Sequence, residues 1–267
     1  MKAKRVLFVT ILCSVTVFVA TGVCSEIGKP ILREETKVIV DGIEERWRFE
    51  WINPPVSVCG PEDEDWVSCP CTGFAYGERG DLDLVRKRPG HKEERFSLTQ
   101  LFEGYGDNAW PQALLRRWDT EKNDIDNYKL PDFVSRVKAR PLAKIMRFGD
   151  YDHDGRATEF VLQIGTLPCG KKMSVVVGVS RQNKQLHAFS GVKNLERPLI
   201  LQTFQWESLL SAKGPIKVIN WKCGDHGSDR EEELELRAQD GNIYAIRKTY
   251  ECTDNGRRGR LIGREDF

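Results

Sequence analysis

The chain has 267 residues, and its 41 Lys and Arg nearly balance its 40 Asp and Glu. Without the three basic residues of the N-terminal segment, 38 basic residues face 40 acidic ones and the net charge is −2. Nucleic-acid-binding proteins usually carry a strong positive field, so this balance argues against a nucleic-acid partner. The basic runs at 86–88 and 257–258 are accordingly predicted to be solvated surface. The remaining length is sufficient for one large hydrophobic core or two smaller ones.

Residues 1–25 have the pattern of a secretory signal peptide. Basic residues fall within positions 2–5, an apolar run fills positions 6–20, and small residues follow. Cleavage is predicted after Gly22 or after Ser25. The body of the protein is therefore predicted to be exported, and so periplasmic or secreted.

Two other interpretations of this segment compete with cleavage. Cys24 would be the lipidated residue of a bacterial lipoprotein, although Thr21-Gly22-Val23 fits the lipoprotein box poorly because a small residue is expected before the cysteine. Residues 6–23 are also about long enough to remain as a membrane anchor. In all three interpretations the body lies outside the cytoplasm. The membrane is then a partner only through this segment, when it is uncleaved or lipidated.

The cysteines of the body predict disulfide bonds. An even number of cysteines in an oxidising compartment favours up to three bridges, and the six candidates are Cys59, Cys69, Cys71, Cys169, Cys223 and Cys252. Cys69 and Cys71 are too close in sequence to pair comfortably with each other, so each is predicted to bond elsewhere. Cys223 and Cys252 bracket a predicted hairpin and form the most favoured pair. A zinc site is disfavoured because the body has no Cys-x-x-Cys.

The first third of the body has the pattern of β-structure. Residues 26–34 are predicted to be a linker, and the runs 37–40 and 43–51 form a hairpin around Asp41-Gly42, which suits a two-residue type I′ turn. The Pro-, Cys- and acid-rich stretch 53–72 is predicted to be a disulfide-pinned loop. A further strand is predicted at residues 81–85.

The middle and the end of the chain alternate between the apolar spacing of helices and that of strands. Helices are predicted at 108–118, 131–140 and 201–213, where helical spacing and stop signals coincide. Short apolar or alternating runs predict strands at 143–148, 158–164, 174–180, 185–189, 216–221, 234–238 and 243–250. The predicted fold class is α+β, mostly antiparallel β-sheet with a few short helices, stabilised by disulfides. Residues 35–267 are predicted to form one globular domain with a sub-boundary near residue 141.

An acidic stretch between two predicted strands is the most specific signal of the chain. Asp150, Asp152 and Asp154 alternate, Gly155 follows directly, and Glu159 lies four residues further on. Calcium takes about 6–8 oxygen ligands in irregular geometry, and a wrapping loop needs a residue without a Cβ where it turns sharply. The sequence therefore predicts a loop that binds a hard cation.

The surroundings of this stretch exclude a regular EF-hand. Counted from Asp150, the twelfth position holds Val161 instead of a carboxylate, and the flanking segments are predicted to be strands instead of helices. The stretch resembles the calcium loop of FG-GAP/VCBS repeats, the integrin-α type, in which the loop joins two strands. The resemblance covers only about 15–20 residues, and the chain otherwise resembles uncharacterised exported bacterial proteins.

The resemblance implies a set of ligands. These are the side chains of Asp150, Asp152 and Asp154 and the backbone carbonyl of Arg156. The family usually completes the shell with an acid at the ninth position, which here holds Thr158, and Glu159 comes one residue late. Either the loop bulges by one residue or Glu159 is not a ligand. The expected ion is Ca²⁺ in a structural role.

A solvated acidic turn is the alternative interpretation of the loop, since Asp and Gly are common turn residues. Three alternating aspartates are denser than a turn requires, and without a cation their carboxylates repel one another. Exported calcium modules are often weak, with dissociation constants of roughly 10⁻⁴ to 10⁻³ M.

Three functions are compatible with these features. The favoured one is a non-enzymatic, calcium-stabilised binding or scaffold domain of the bacterial cell envelope, with an envelope or extracellular ligand of unknown identity. The alternative is an extracellular hydrolase that draws its carboxylates from Asp107, Asp150 and Glu159. The third is a glycan-binding module, which would need an exposed aromatic row that includes Trp47 and Trp51.

Overall fold

The structure is a computed structural model that describes residues 29–60, 77–103, 112–119, 121, 123–127, 129–167 and 171–267. Within these ranges the chain is mostly antiparallel β-sheet with a few short helices. Among the described residues, no helix has both the length and the apolar composition needed to cross a membrane. The predicted signal segment lies outside these ranges.

The strands are numbered in chain order. The first eight are β1 (Ile31–Val40), β2 (Ile43–Trp51), β3 (Val56–Val58), β4 (Gly77–Gly80), β5 (Leu82–Lys87), β6 (Glu94–Ser97), β7 (Ala113–Arg116) and β8 (Phe148–Gly149). The others are β9 (Glu159–Leu167), β10 (Lys171–Gly178), β11 (His187–Ala188), β12 (Leu201–Gln202), β13 (Ile216–Trp221), β14 (Arg230–Gln239), β15 (Asn242–Cys252) and β16 (Arg258–Asp266). The α-helices are α1 (Asp124–Asn127), α2 (Phe133–Lys138) and α3 (Thr203–Ser211), and short 3-10 helices occupy Thr99–Phe102 and Asp225–Gly227.

The strands form four antiparallel sheets. The N-terminal sheet has the order β1-β2-β5-β6, and the small sheet has the order β3-β4-β7. The central sheet has the order β11-β10-β9-β8, with β12 also paired to β10. The C-terminal sheet has the order β13-β14-β15-β16. Neighbours in sequence are mostly neighbours in space, as expected when short turns join antiparallel strands.

The predicted N-terminal hairpin is confirmed. Val40 faces Ile43 across the turn, and Asp41 and Gly42 both have positive φ, 51° and 80°, as a type I′ turn requires. The first strand begins at Ile31, however, so it includes the last part of the segment expected to be a linker. Arg33 explains this difference, because its buried guanidinium donates to Glu78 at 2.8 Å and ties the strand to the small sheet.

The central sheet separates two hydrophobic cores. The first core lies between the central and N-terminal sheets and includes Phe49 and Phe160, whose rings meet edge to face at 5.5 Å. The second core lies against α3 and the C-terminal sheet, and the fully buried Trp206 belongs to it. Along β10, Val175 faces the first core and Val176 the second, because successive side chains of a strand point to opposite faces.

Residues from both sides of the expected sub-boundary near residue 141 share the first core. Trp47 and Phe148, which lie on opposite sides of residue 141, illustrate this, since their rings pack edge to face at 5.3 Å. The two halves of the described chain therefore depend on each other for burial of their apolar side chains.

Three local expectations are wrong. Residues 113–116 form β7 instead of the end of a helix, because the apolar run is buried and pairs with β4. Only β8 forms in the segment expected to be a strand at 143–148, since Glu34 accepts the backbone N–H groups of Ile145 and Met146. Arg86 is not solvated surface: it is 2% exposed and forms two hydrogen bonds with Glu45, of 2.6 and 2.9 Å.

The favoured disulfide joins Cys223 to Cys252 and closes a loop over a sequence separation of 29 residues. It connects the turn after β13 to the end of β15, as the bracketed hairpin suggested. Cys59 is also disulfide-bonded. The predictions for Cys69, Cys71 and Cys169 lie outside the described residues.

Candidate cation-binding site

The acidic loop connects β8 to β9 in the central sheet. The two strands pair through Phe148 with Phe160 and through Gly149 with Glu159, so Glu159 lies opposite the residue that precedes the loop. This pairing brings the fourth acid back beside the first ones. A strand–loop–strand context was expected from the sequence, and the structure has it.

Three carboxylates of this loop converge. Asp150, Asp152 and Glu159 each offer one oxygen, and these oxygens all lie within 4.8 Å of one another. Two oxygens on opposite sides of a calcium ion, each about 2.3–2.6 Å from it, would be roughly 4.6–5.2 Å apart. The spacing of the three acids is therefore suitable for one shared Ca²⁺.

Backbone N–H groups fix the orientation of the first two acids. The N–H of Asp154 donates to Asp150 Oδ1 at 2.9 Å and to Asp152 Oδ1 at 3.1 Å, and the N–H of Gly155 donates to Asp150 Oδ2 at 3.0 Å. The loop turns through His153 and Gly155, which have φ of 54° and 88°. Glycine adopts a φ near 88° without steric cost because it has no Cβ, which explains the glycine after the third aspartate.

One oxygen of Asp152 has no partner. The residue is fully buried, and its Oδ2 makes no hydrogen bond among the described residues. A buried carboxylate oxygen without a donor is costly, because it has lost its hydration without replacement. A cation bound between the three acids would supply the missing interaction.

Glu159 is held by the loop that it closes. It is also fully buried, and its Oε2 accepts the N–H of Tyr151 at 2.8 Å. Its Oε1 lies 2.6 Å from Thr158 Oγ1 and accepts the N–H of Thr158 at 3.2 Å. Gly178 on β10 packs directly against this segment, and a Cβ there would lie 2.4 Å from the Thr158 carbonyl oxygen.

The two buried acids resist ionisation in the absence of a cation. Burial, with the charge of Asp154 added, raises the pKa of Asp152 to about 7. Burial, with the charge of Asp152 added, raises the pKa of Glu159 to about 8. Desolvation penalises the charged form of each carboxyl, and the neighbouring charges act in the same direction. Binding of a cation here would favour the ionised forms of both.

Asp154 and Arg156, the other two ligands that the resemblance implied, form an ion pair through their side chains. The guanidinium of Arg156 donates to Asp154 Oδ2 at 2.9 Å and to Asp41 Oδ1 at 2.9 Å. Asp154 Oδ2 also accepts the N–H of Arg181 at 2.7 Å. The carboxylate of Asp154 is thus already neutralised by a side chain, and the three converging acids are Asp150, Asp152 and Glu159.

The loop is a junction between three other turns. Its contacts to Asp41 and Arg181 reach the β1–β2 turn and the segment after β10. The N–H of Gly241, in the β14–β15 turn, donates to the Asp152 carbonyl at 3.0 Å. Gln182 donates to the carbonyl of Asp240 in that same turn at 2.9 Å. Order in the acidic loop therefore affects how the N-terminal, central and C-terminal sheets meet.

No protein-family model, curated protein or solved structure matches the chain. The chemistry of the site must accordingly be argued from its own residues.

The other residues singled out by the sequence do not join this site. Asp107, one of the acids suggested for a hydrolase, lies outside the described residues. Trp47 and Trp51 are 0% and 1% exposed, so neither ring presents a face to solvent. The contacts of Gly178, Arg181 and Gly241 with the loop were missed, since no local pattern signals a contact made by the folded chain.

Proposed function

We propose that this protein is an exported, calcium-stabilised, non-enzymatic binding or scaffold domain of the bacterial cell envelope. The observation that carries the proposal is the buried Asp152, which has one oxygen without a partner and belongs to a cluster with two further carboxylates. Such a cluster is repulsive by itself, and a bound cation converts the repulsion into attraction. Export is inferred from the N-terminal segment and from the disulfide bond.

The donor set favours calcium over other cations. Asp150, Asp152 and Glu159 would hold the ion through carboxylate oxygens, and Zn²⁺ prefers the nitrogen and sulfur of His and Cys. Mg²⁺ requires near-ideal octahedral geometry and gives up its water reluctantly, whereas Ca²⁺ accepts an irregular loop. When bound, the ion supplies positive charge and fixes the three oxygens around it.

A structural role for the ion follows from the position of the loop. Asp154 and Arg156 connect it to the β1–β2 turn, and Gly241 connects it to the β14–β15 turn. An ion that orders Asp152 would therefore stabilise the junction of three sheets. This gives the envelope domain a rigid framework on which a ligand-binding surface can be held.

The hydrolase alternative has weaker support. Glu159 is fully buried and accepts hydrogen bonds from Tyr151 and Thr158 within its own loop. A catalytic acid must reach the reacting group of its substrate either directly, within about 3 Å, or through one water, and burial of this kind opposes both. The glycan-binding alternative loses its proposed platform, because Trp47 and Trp51 are core residues.

Thermal unfolding of the oxidised protein tests the proposal. We expect the unfolding midpoint to rise by several degrees when millimolar Ca²⁺ replaces chelator, and to rise much less with Mg²⁺ at the same concentration. Equal unfolding midpoints in calcium and in chelator would mean that no calcium ion stabilises the fold, and that the loop is an acidic turn without an ion.

A further inference from the structure

A second polar site lies beside the acidic loop but uses none of its carboxylates. It is a cavity of about 220 Å³ between β7, residues 144–147, β9, β10 and α3. Four basic side chains line it, and they are Arg116, Lys144, Arg147 and Lys172. Among the described residues that line it, Glu207 of α3 is the one acid. The cavity therefore has an excess of positive charge in a protein whose overall charge is nearly balanced.

Lys172 has no direct ionic partner. Its side chain is half-buried, and its ammonium makes no hydrogen bond or ion pair within the described part of the chain, although the charges of Glu207 and Asp119 act on it from further away. Burial, together with the charge of Arg116, lowers the pKa of this lysine. The ammonium is thus partly desolvated, and an anion in the cavity would give it the close partner that it lacks.

Arg116 is only partly compensated. One of its terminal nitrogens lies 3.3 Å from Asp119, but its Nε is buried and has no hydrogen-bond partner among the described residues. Burial, together with the charge of Arg147, lowers the pKa of the guanidinium. A guanidinium presents its donors as a planar fork that matches carboxylate or phosphate oxygens. Arg116 thus lines the cavity with a guanidinium that Asp119 compensates only in part.

We propose that this cavity binds a small ligand bearing an oxyanion, a carboxylate or a phosphate. Lys172 would supply a point charge, and Arg116 the charge of its guanidinium. Leu114, Leu115 and Val161 also line the cavity, so the rest of the ligand would contact apolar walls. Ligand sites for drug-sized molecules are roughly 300–1,000 Å³, so the volume here corresponds to a smaller molecule such as a sugar acid or a sugar phosphate.

An oxyanion ligand would specify what the proposed binding domain binds, so this inference rests on the proposed function. The two sites also touch, because Tyr151 of the acidic loop forms part of the cavity wall. Its ring is held edge to face against Trp206 at 6.5 Å. The two sites are nevertheless built from different charged residues. Their ligands have opposite charge, so each can be titrated separately.

Calorimetric titration with inorganic phosphate and, separately, with glucuronate tests the inference in the full oxidised protein. We expect saturable binding of at least one probe, weakened about tenfold or more in Lys172→Gln, because charge-assisted hydrogen bonds contribute at that level. Lys193→Gln, which alters an exposed lysine outside the cavity, should bind as the wild type does. Binding of phosphate alone, or of glucuronate alone, would also assign the type of oxyanion.

Unfolding of the same variants separates a binding role from a structural one. Lys172→Gln removes a half-buried charge whose pKa burial lowers, so we expect it to unfold at the same temperature as the wild type or higher while binding the anion less tightly. Wild-type protein that binds neither probe, or Lys172→Gln that binds as tightly as wild type, would overturn the inference. Anion binding that persists when calcium binding fails would refute the proposed ion site but not this cavity, and the reverse result would refute only the cavity.

Discussion

Replacement of Asp152 by Asn separates a cation site from an ordinary acidic turn. The amide oxygen of the new side chain can still accept the N–H of Asp154, which now donates to Asp152 Oδ1 at 3.1 Å. The amide NH₂ replaces the Oδ2 that has no partner, and the substitution removes a negative charge from the cluster with Asp150 and Glu159. Asp152→Asn should therefore fit the calcium-free loop better than the natural residue does.

The size of the effect follows from the environment of Asp152. Its pKa rises from 3.8 to about 7 on folding, so ionisation of this carboxyl at pH 8 costs on the order of 4 kcal/mol. The amide avoids this cost but must itself be buried, which offsets part of the gain. We expect the free energy of unfolding in chelator at pH 8 to rise by about 1–3 kcal/mol.

Calcium should stabilise the wild type more than it stabilises Asp152→Asn. With roughly 10 mM Ca²⁺ and a dissociation constant of about 10⁻⁴ to 10⁻³ M, the wild type gains about 1.4–2.7 kcal/mol. A tenfold loss of affinity in Asp152→Asn would reduce this gain by about 1 kcal/mol or more.

Denaturant unfolding at pH 8 measures the free energy of unfolding in chelator and its increase in calcium. The proteins compared are the wild type, Asp152→Asn and a control. Asp254→Asn is the control, since it makes the same chemical change at an exposed turn outside the loop. Two results would refute the cation site. One is a lower free energy of unfolding for Asp152→Asn than for the wild type in chelator, and the other is an equal increase of that free energy with calcium in both proteins.

Two further predictions concern the same loop. In chelator, stability should fall as pH rises from about 4 to about 8, because the raised pKa values of Asp152 and Glu159 make the folded state bind more protons than the unfolded state. The gain from calcium should increase over that range, since the ion displaces those protons, and a pH-independent gain in unfolding experiments would contradict this. Gly178→Ala should weaken calcium binding about tenfold, because its Cβ would lie 2.4 Å from the Thr158 carbonyl oxygen and displace Glu159. Calorimetry with Gly214→Ala as control, at a position with open space around it, would show equal affinities if the idea is wrong.

Local patterns were sufficient where local chemistry decides the structure. The hairpin at Asp41-Gly42 was predictable because both residues must adopt positive φ, and few other dipeptides do so readily. The acidic loop was recognisable because the spacing of its aspartates and its glycine lies within one short segment. Most strands of the central and C-terminal sheets were found in the same way, from alternation of apolar residues.

Long-range contacts decided the rest. The apolar run at Ala113–Arg116 suits both a helix turn and a buried strand, and pairing with β4 selects the strand. Arg86 is buried because Glu45 comes beside it on the neighbouring strand, which no charge pattern reveals. The ion pair of Asp154 with Arg156 and the return of Glu159 beside the first acids through the β8–β9 pairing are visible only in the folded chain. The final strand, β16, was not predicted from its strongly charged sequence.

Calorimetric titration of the calcium-free, oxidised protein with Ca²⁺ at pH 8 measures the proposed ion site itself. We expect one saturable site of submillimolar to millimolar affinity, release of protons on binding, and binding about tenfold weaker or more in Asp152→Asn. Absence of saturable binding in the wild type, or unchanged binding in Asp152→Asn, would contradict it.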